Sequence, residues 1–193
     1  MQKTREQWLN RAVGYLRPLF KGHEFTVPAT VRVGVGFAYA SKTAEGQAWS
    51  HEASADGTHE IFLSPVVADP LAVLGILVHE LIHVSVGLEH KHGPVFRRCA
   101  LLLGLEGKMP ATTVGEGLLL KLNAVSARLG DYPHAILSTS AGSPDKQTTR
   151  LLKMACDSCS CIIRTTAKWI EEYGEKWPCP CGKKLVWKEP EED

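Results

Sequence analysis

The chain has 193 residues, a length that suits one medium domain or one domain with a small appendage. Hydrophobic residues make up 44% and charged residues 22%, which excludes a disordered tail, a collagen-like repeat and a coiled coil. With 22 Lys and Arg against 21 Asp and Glu the net charge is +1, so the chain as a whole is not a basic nucleic-acid coat, although a local basic surface is compatible with that balance.

From the start, the segment 1–20 carries Lys3, Arg5, Glu6, Arg11 and Arg17 and no small-residue cleavage site, which is not the pattern of a secretory signal. Trp8, Leu9, Val13, Leu16 and Phe20 recur at helical spacing and predict an amphipathic first helix over 4–20. Val31, Val33, Val35 and Phe37 alternate with Arg32, Gly34 and Gly36 and predict a strand. Further strands are expected over 46–50 and, after the Asp56-Gly57 turn, over 60–63. Asp69-Pro70 supplies an N-cap followed by proline at the first helical position, opening a helix that runs to about Val86. Its apolar stretch from Leu71 to Val78 is the longest in the chain and falls far short of the roughly 18–20 residues needed to cross a bilayer. A cytoplasmic protein without membrane contact is therefore expected. A shorter helix is predicted after Gly93-Pro94, through Leu103, and a third over 114–129, where Leu118, Leu119, Leu122, Val125 and Leu129 share a face. A Ser-, Gly- and Pro-rich stretch then reads as a linker. The expected organisation is an α+β domain over 1–137, a linker over 138–150 and a cysteine-rich module over 151–193 that ends in the acidic run Glu189 to Asp193.

The sharpest motif is His79-Glu80-Leu81-Ile82-His83. On a helix, positions i and i+4 lie on one face a turn apart, so both imidazoles reach one zinc ion, and Glu80 stands beside the first ligand without ligating. That places Glu80 to take a proton from a zinc-activated water and deliver it to a leaving amine. A catalytic zinc needs a third protein ligand and an open position. His90 and His92 compete for that role. Gly87 and His90 come one residue late for the H-x-x-G-x-x-H arrangement, whereas His92 precedes Gly93-Pro94 at the start of a helix that Phe96 anchors, so the reading favours His92. No second oxyanion stabiliser is identifiable; Tyr132 and His134 fit ordinary loop roles better. The strand 60–63 is the candidate edge for pairing with an extended peptide.

Five of the six cysteines fall late in the chain, and close spacing without an export signal favours metal over disulfides. Cys156-x-x-Cys159 and Cys179-x-Cys181 approximate a four-cysteine ribbon that holds a structural zinc, with Cys161 the alternative to Cys159. Cys99, beside Ala100 and Leu101, reads as a core residue. In the ribbon Arg150, Lys153, Arg164, Lys168, Lys176, Lys183, Lys184 and Lys188 interleave with Trp169, Trp177 and Trp187, a mixture that suits backbone contacts and base stacking on single-stranded DNA. Arg150, Lys153, Arg164, Lys168 and Trp169 are the leading candidates. Glu171, Glu172 and Glu175 dilute that charge, and a purely structural cap is the plainer reading of the module.

The helix motif, the segment His92-Gly93-Pro94-Val95-Phe96 and the cysteine ribbon together resemble the SprT-like (Spartan-type) zinc metallopeptidases, the small phage and bacterial members above all. The segment Gly57 to Pro65 and the connector Gln147 to Lys153 are similar as well, so the resemblance spans about Trp8 to Leu185. It implies a minimal zincin-like protease domain with a C-terminal zinc ribbon, a catalytic zinc on His79, His83 and His92, and Glu80 as the catalytic carboxylate. It also implies proteolysis of proteins associated with or crosslinked to DNA. In that comparison Cys161 falls where an aromatic residue is usual, which argues for a spare or buried thiol. The alternative from another class is a non-catalytic nucleic-acid-binding zinc protein, a scaffold or host-interaction module. Protein substrate, cleavage preference and oligomeric state are not written in the sequence.

Overall fold

The computed structural model describes residues 4–21, 23–39, 41, 43–141, 151–174 and 177–187. The chain divides into two compact units at Ala141/Gly142. Of the residues singled out above, Lys3, Arg150, Glu175, Lys176, Lys188, the acidic run 189–193 and most of the linker lie outside the described residues.

The first unit opens with α1 (Arg5–Phe20), started by a capping box in which Thr4 Oγ1 accepts from the Gln7 N–H at 3.2 Å and Gln7 Oε1 accepts from the Thr4 N–H at 3.3 Å. Its apolar stripe, Trp8, Leu9, Ala12, Val13, Leu16 and Phe20, is buried. Trp8 is tied further by an indole N–H donated to the Gly130 carbonyl at 2.9 Å.

Three strands follow: β1 (Val31–Val35), β2 (Gly46–Trp49) and β3 (His59–Leu63). Their order is β1-β3-β2, with β1 parallel and β2 antiparallel to β3. This corrects the expectation that 60–63 forms the sheet edge. The last strand in sequence inserts between the other two, and β2 takes the edge. Phe37 lies beyond β1 and is 54% exposed.

The helix α2 (Pro70–Val86) runs through the middle of the unit. Asp69 caps it, accepting from the Ala72 N–H at 2.7 Å, and Pro70 sits where no intrahelical donor is needed. Leu74, Leu77, Val78, Leu81 and Ile82 are fully buried, each contributing about 1.5–3 kcal/mol of transfer free energy relative to exposure. Gly87, at φ 97°, ends the helix in a conformation that disfavours a side chain. A single 3-10 turn over 88–90 leads to α3 (Pro94–Leu103). A hairpin then intervenes where the sequence predicted none: β4 (Leu105–Lys108) pairs antiparallel with β5 (Ala111–Val114). The next helix, α4, accordingly spans Glu116–Leu129 and starts later than expected, because Val114 belongs to the hairpin.

The second unit holds β6 (Leu152–Ala155), β7 (Ile162–Thr165), α5 (Ala167–Tyr173) and β8 (Val186–Trp187), the strands ordered β7-β6-β8 and all antiparallel. Its buried core is Met154, Cys156, Cys179 and Leu185, too little apolar surface to fold a module of this size without a further crosslink. The architecture is α+β with five α-helices and small sheets among the described residues, and no helix among them is long and apolar enough to cross a membrane.

Candidate metal centres

The register of α2 brings His79 and His83 to one face, and the 3-10 turn after Gly87 swings His92 back against them. His92 Nε2 lies 3.1 Å from His79 Nε2 and 3.2 Å from His83 Nε2. Two nitrogens bound tetrahedrally at about 2.0–2.1 Å from a zinc ion are about 3.3 Å apart, so this spacing fits a shared metal. Burial pushes His79 down to about 4 and His83 to about 3, and it lowers His92 as well, which keeps all three rings neutral and free to donate a lone pair at neutral pH.

Around the rings the packing is tight. Phe96, fully buried, has its ring centroid 4.9 Å from that of His79, 4.4 Å from His83 and 5.0 Å from His92. The single aromatic residue therefore sets the tilt of three imidazoles. Gly93 matters here because a Cβ at that position would stand 2.9 Å from the His90 carbonyl oxygen, inside contact distance. His90 itself points elsewhere, its Nε2 3.7 Å from the Glu89 carboxylate, and it is not part of the cluster.

A residue that sequence reasoning missed completes the orientation. Thr112, on β5, places Oγ1 2.8 Å from His79 Nδ1. A partner on the far nitrogen fixes which nitrogen of a ligating histidine faces the metal. The β-branched pair Thr112-Thr113 before Val114 was the local signal of a strand there.

Glu80 is 6% exposed and shares a cleft of about 600 Å³ with the histidines. One wall of the cleft is the edge strand β2 with the residues before it, and the other is the hairpin turn at Pro110 to Thr112. Burial pushes the Glu80 carboxyl up to about 8, opposed by a backbone hydrogen bond from Ala48 of β2. The strand comes this close because residue 46 has no side chain: a Cβ on Gly46 would lie 2.5 Å from Glu80 Oε1 and 2.7 Å from Ile76 Cγ2. Tyr132 and His134 have structural roles. Tyr132 is buried against Trp8, with ring centroids 4.8 Å apart, and His134 bonds to Arg5 and to the Pro65 carbonyl.

In the second unit Cys156, Cys159, Cys179 and Cys181 converge, with Sγ separations of 3.6 Å between Cys156 and Cys181, 3.3 Å between Cys159 and Cys179, and 3.4 Å between Cys181 and Cys179. A disulfide needs about 2.05 Å, whereas four thiolates around a zinc ion at about 2.3 Å stand about 3.8 Å apart, so the donor set fits a metal ion. Cys156 is drawn down to about 7, chiefly by the Ser158 N–H, which donates to its Sγ at 3.4 Å. Cys161 lies outside the cluster and Cys99 is buried in the first unit's core.

Of the candidate nucleic-acid contacts, Lys153 and Arg164 are cross-strand partners on β6 and β7, and both are exposed. Lys168 Nζ lies 5.6 Å from the centre of the Trp169 ring, and the Trp169 and Tyr173 rings are 5.6 Å apart. These rings and Trp177 line a groove of about 420 Å³. Tyr173 is the member that sequence reasoning did not single out. Comparisons with family models, with curated proteins and with solved structures return no match for this chain.

Proposed function

We propose that this protein is a zinc-dependent endopeptidase of the SprT-like type that cleaves proteins associated with or crosslinked to DNA. The observation that carries the reading is the meeting of three neutral imidazoles with a buried carboxyl group in one open cleft. A metal site that only binds has no use for a carboxyl held beside its first ligand, whereas hydrolysis requires a proton carrier there. The resemblance carried by His79 to His83 and His92 to Phe96 supports the same conclusion.

In this reading His79, His83 and His92 hold a catalytic zinc and Cys156, Cys159, Cys179 and Cys181 a structural one. When bound, the catalytic ion supplies Lewis acidity, lowering the pKa of a water toward neutrality and polarising the scissile carbonyl. The remaining work falls to the chain. Glu80 takes a proton from the attacking water and hands it to the amine nitrogen as the peptide bond breaks. Buried as it is, its carboxyl depends on a neighbouring positive charge to stay ionised at neutral pH. The outer edge of β2, which pairs only with β3 among the described residues, offers backbone groups to an extended substrate. Phe96 and Thr112 keep the imidazoles in place.

The cationic pair Lys153 and Arg164, with the Lys168, Trp169 and Tyr173 group, supports recruitment to single-stranded DNA through phosphate contacts and base stacking. The decisive experiment compares wild type with Glu80→Gln on a DNA-bound protein, with and without single-stranded DNA, with zinc content measured on the same samples. Glu80→Gln is expected to lower turnover about 10²–10⁴-fold while both proteins keep two zinc ions. Full zinc loading and DNA binding with no cleavage by either protein would replace this reading with that of a non-catalytic nucleic-acid-binding protein.

A further inference from the structure

We infer that the substrate groove continues past the metal cleft onto α3, where it selects peptides carrying an acidic residue next to a large apolar one close to the scissile bond. This rests on the peptidase reading. A second groove, of about 790 Å³, is lined by His92, Pro94, Arg97, Arg98, Leu101 and Leu102. His92 lines both grooves, so a chain held at the metal site by β2 can continue past His92 and onto α3.

The chemistry of this second groove is specific. Leu101 and Leu102 are 45% and 48% exposed, adjacent large apolar side chains on a helix whose other face is fully buried. Arg97 stands one turn before Leu101, on the same face. Its neighbour Arg98 is already neutralised by Glu24 at 2.8 Å. Arg97 is exposed and has no carboxylate partner among the described residues. A guanidinium fork over an apolar floor matches a carboxylate beside an apolar side chain. A nucleic-acid backbone would satisfy Arg97 but leave both leucines without a partner, which favours a peptide.

The test uses the full-length zinc-loaded protein and a peptide library, with cleavage sites read by mass spectrometry. Wild type is expected to enrich Asp or Glu on one side of the scissile bond. Arg97→Glu should lower kcat/KM on those peptides about tenfold and shift the preference toward Lys or Arg, with Arg97→Lys, which keeps the charge and loses the fork, falling between the two. A readout apart from turnover is the fluorescence anisotropy of a labelled acidic peptide on zinc-loaded Glu80→Gln, where adding Arg97→Glu should weaken binding by a similar factor. Cleavage without acidic preference, unchanged in Arg97→Glu, would overturn this subsite and leave the peptidase reading standing. An oligonucleotide displaced from the protein by Arg97→Glu, with peptide cleavage unaltered, would assign the groove to nucleic acid instead. Absence of any cleavage by wild type would remove the peptidase reading and this inference with it.

Discussion

The Thr112 hydroxyl, on the second strand of a short hairpin, meets His79 Nδ1 at 2.8 Å, so one imidazole of the three-histidine cluster is oriented by a residue 33 positions away in sequence. Replacing Thr112 by Val keeps the shape and removes that contact. The first site's zinc affinity is expected to fall about 10–100-fold, measured by competition with a chromogenic chelator. Unchanged affinity would mean that Phe96 alone sets the ring.

Gly46→Ala tests the approach of β2 to the buried Glu80 carboxyl. The added methyl would stand 2.5 Å from Glu80 Oε1 and 2.7 Å from Ile76 Cγ2, so either the strand or the carboxyl must shift. The expected cost is about 1–3 kcal/mol in stability, with a lower kcat and undiminished zinc. Melting curves, turnover and metal analysis on one preparation separate the three effects, and a variant with wild-type turnover would show that Glu80 tolerates the shift.

The six cysteines should separate by reactivity. Cys161, half-buried and outside the cluster, is expected to react with a thiol reagent while the metal is bound. Chelation should release the four clustered thiols. Cys99, pushed up to about 12 by burial and then by Glu24, should react only on unfolding. Cys161→Ser should keep the ribbon metal and Cys159→Ser should lose it; the reverse would exchange their roles.

After chelation, stability should depend on pH in two opposing ways. Unfolded imidazoles take up protons below about 6.5, but folded His79 and His83 only near 4 and 3, so this contribution is complete above pH 6.5 and is lost as the pH falls. Glu80 acts in the other direction. Its unfolded carboxyl ionises above 4.5 while the folded one keeps its proton to about 8, so stability drains away as the pH rises between those values. The chelated protein should therefore melt highest near pH 6.5, where the two contributions cross. Glu80→Gln should remove the alkaline decline and stabilise the chelated protein at pH 8 by about 2–4 kcal/mol. Parallel melting curves for the two proteins across that range would contradict the burial argument.

What the sequence disclosed follows the distance over which each feature is encoded. The turn spacing of His79 and His83, the cap at Asp69-Pro70 and the thiol pairs at 156–159 and 179–181 are local, and they are legible from a few residues of chain. The ranking of strands in the sheet is not local. Nothing in His59 to Leu63 announces that it pairs with both β1 and β2, because that order arises from a parallel pairing across the molecule. The hairpin over 105–114 escaped for a different reason: Glu106, Gly107 and Lys108 are exposed and show no apolar alternation, so only Leu105 and the β-branched residues of β5 speak for strands. Thr112 and the gap at Gly46 act on residues 30 to 34 positions away, and no pattern in one segment displays such a contact.

The nearness of the donors along the chain has a consequence for assembly. His79 and His92 are only 13 positions apart, and Cys156 and Cys181 only 25. Closing loops this short costs little chain entropy, and each doubling of length adds only about 0.6 kcal/mol. Each donor set is therefore completed by a short stretch of polypeptide, with β2 already synthesised and the Thr112 hairpin still to come when His92 emerges. A metal ion captured at that stage holds residues 79–92 in their final curve, and the hairpin closes over a centre that has already formed.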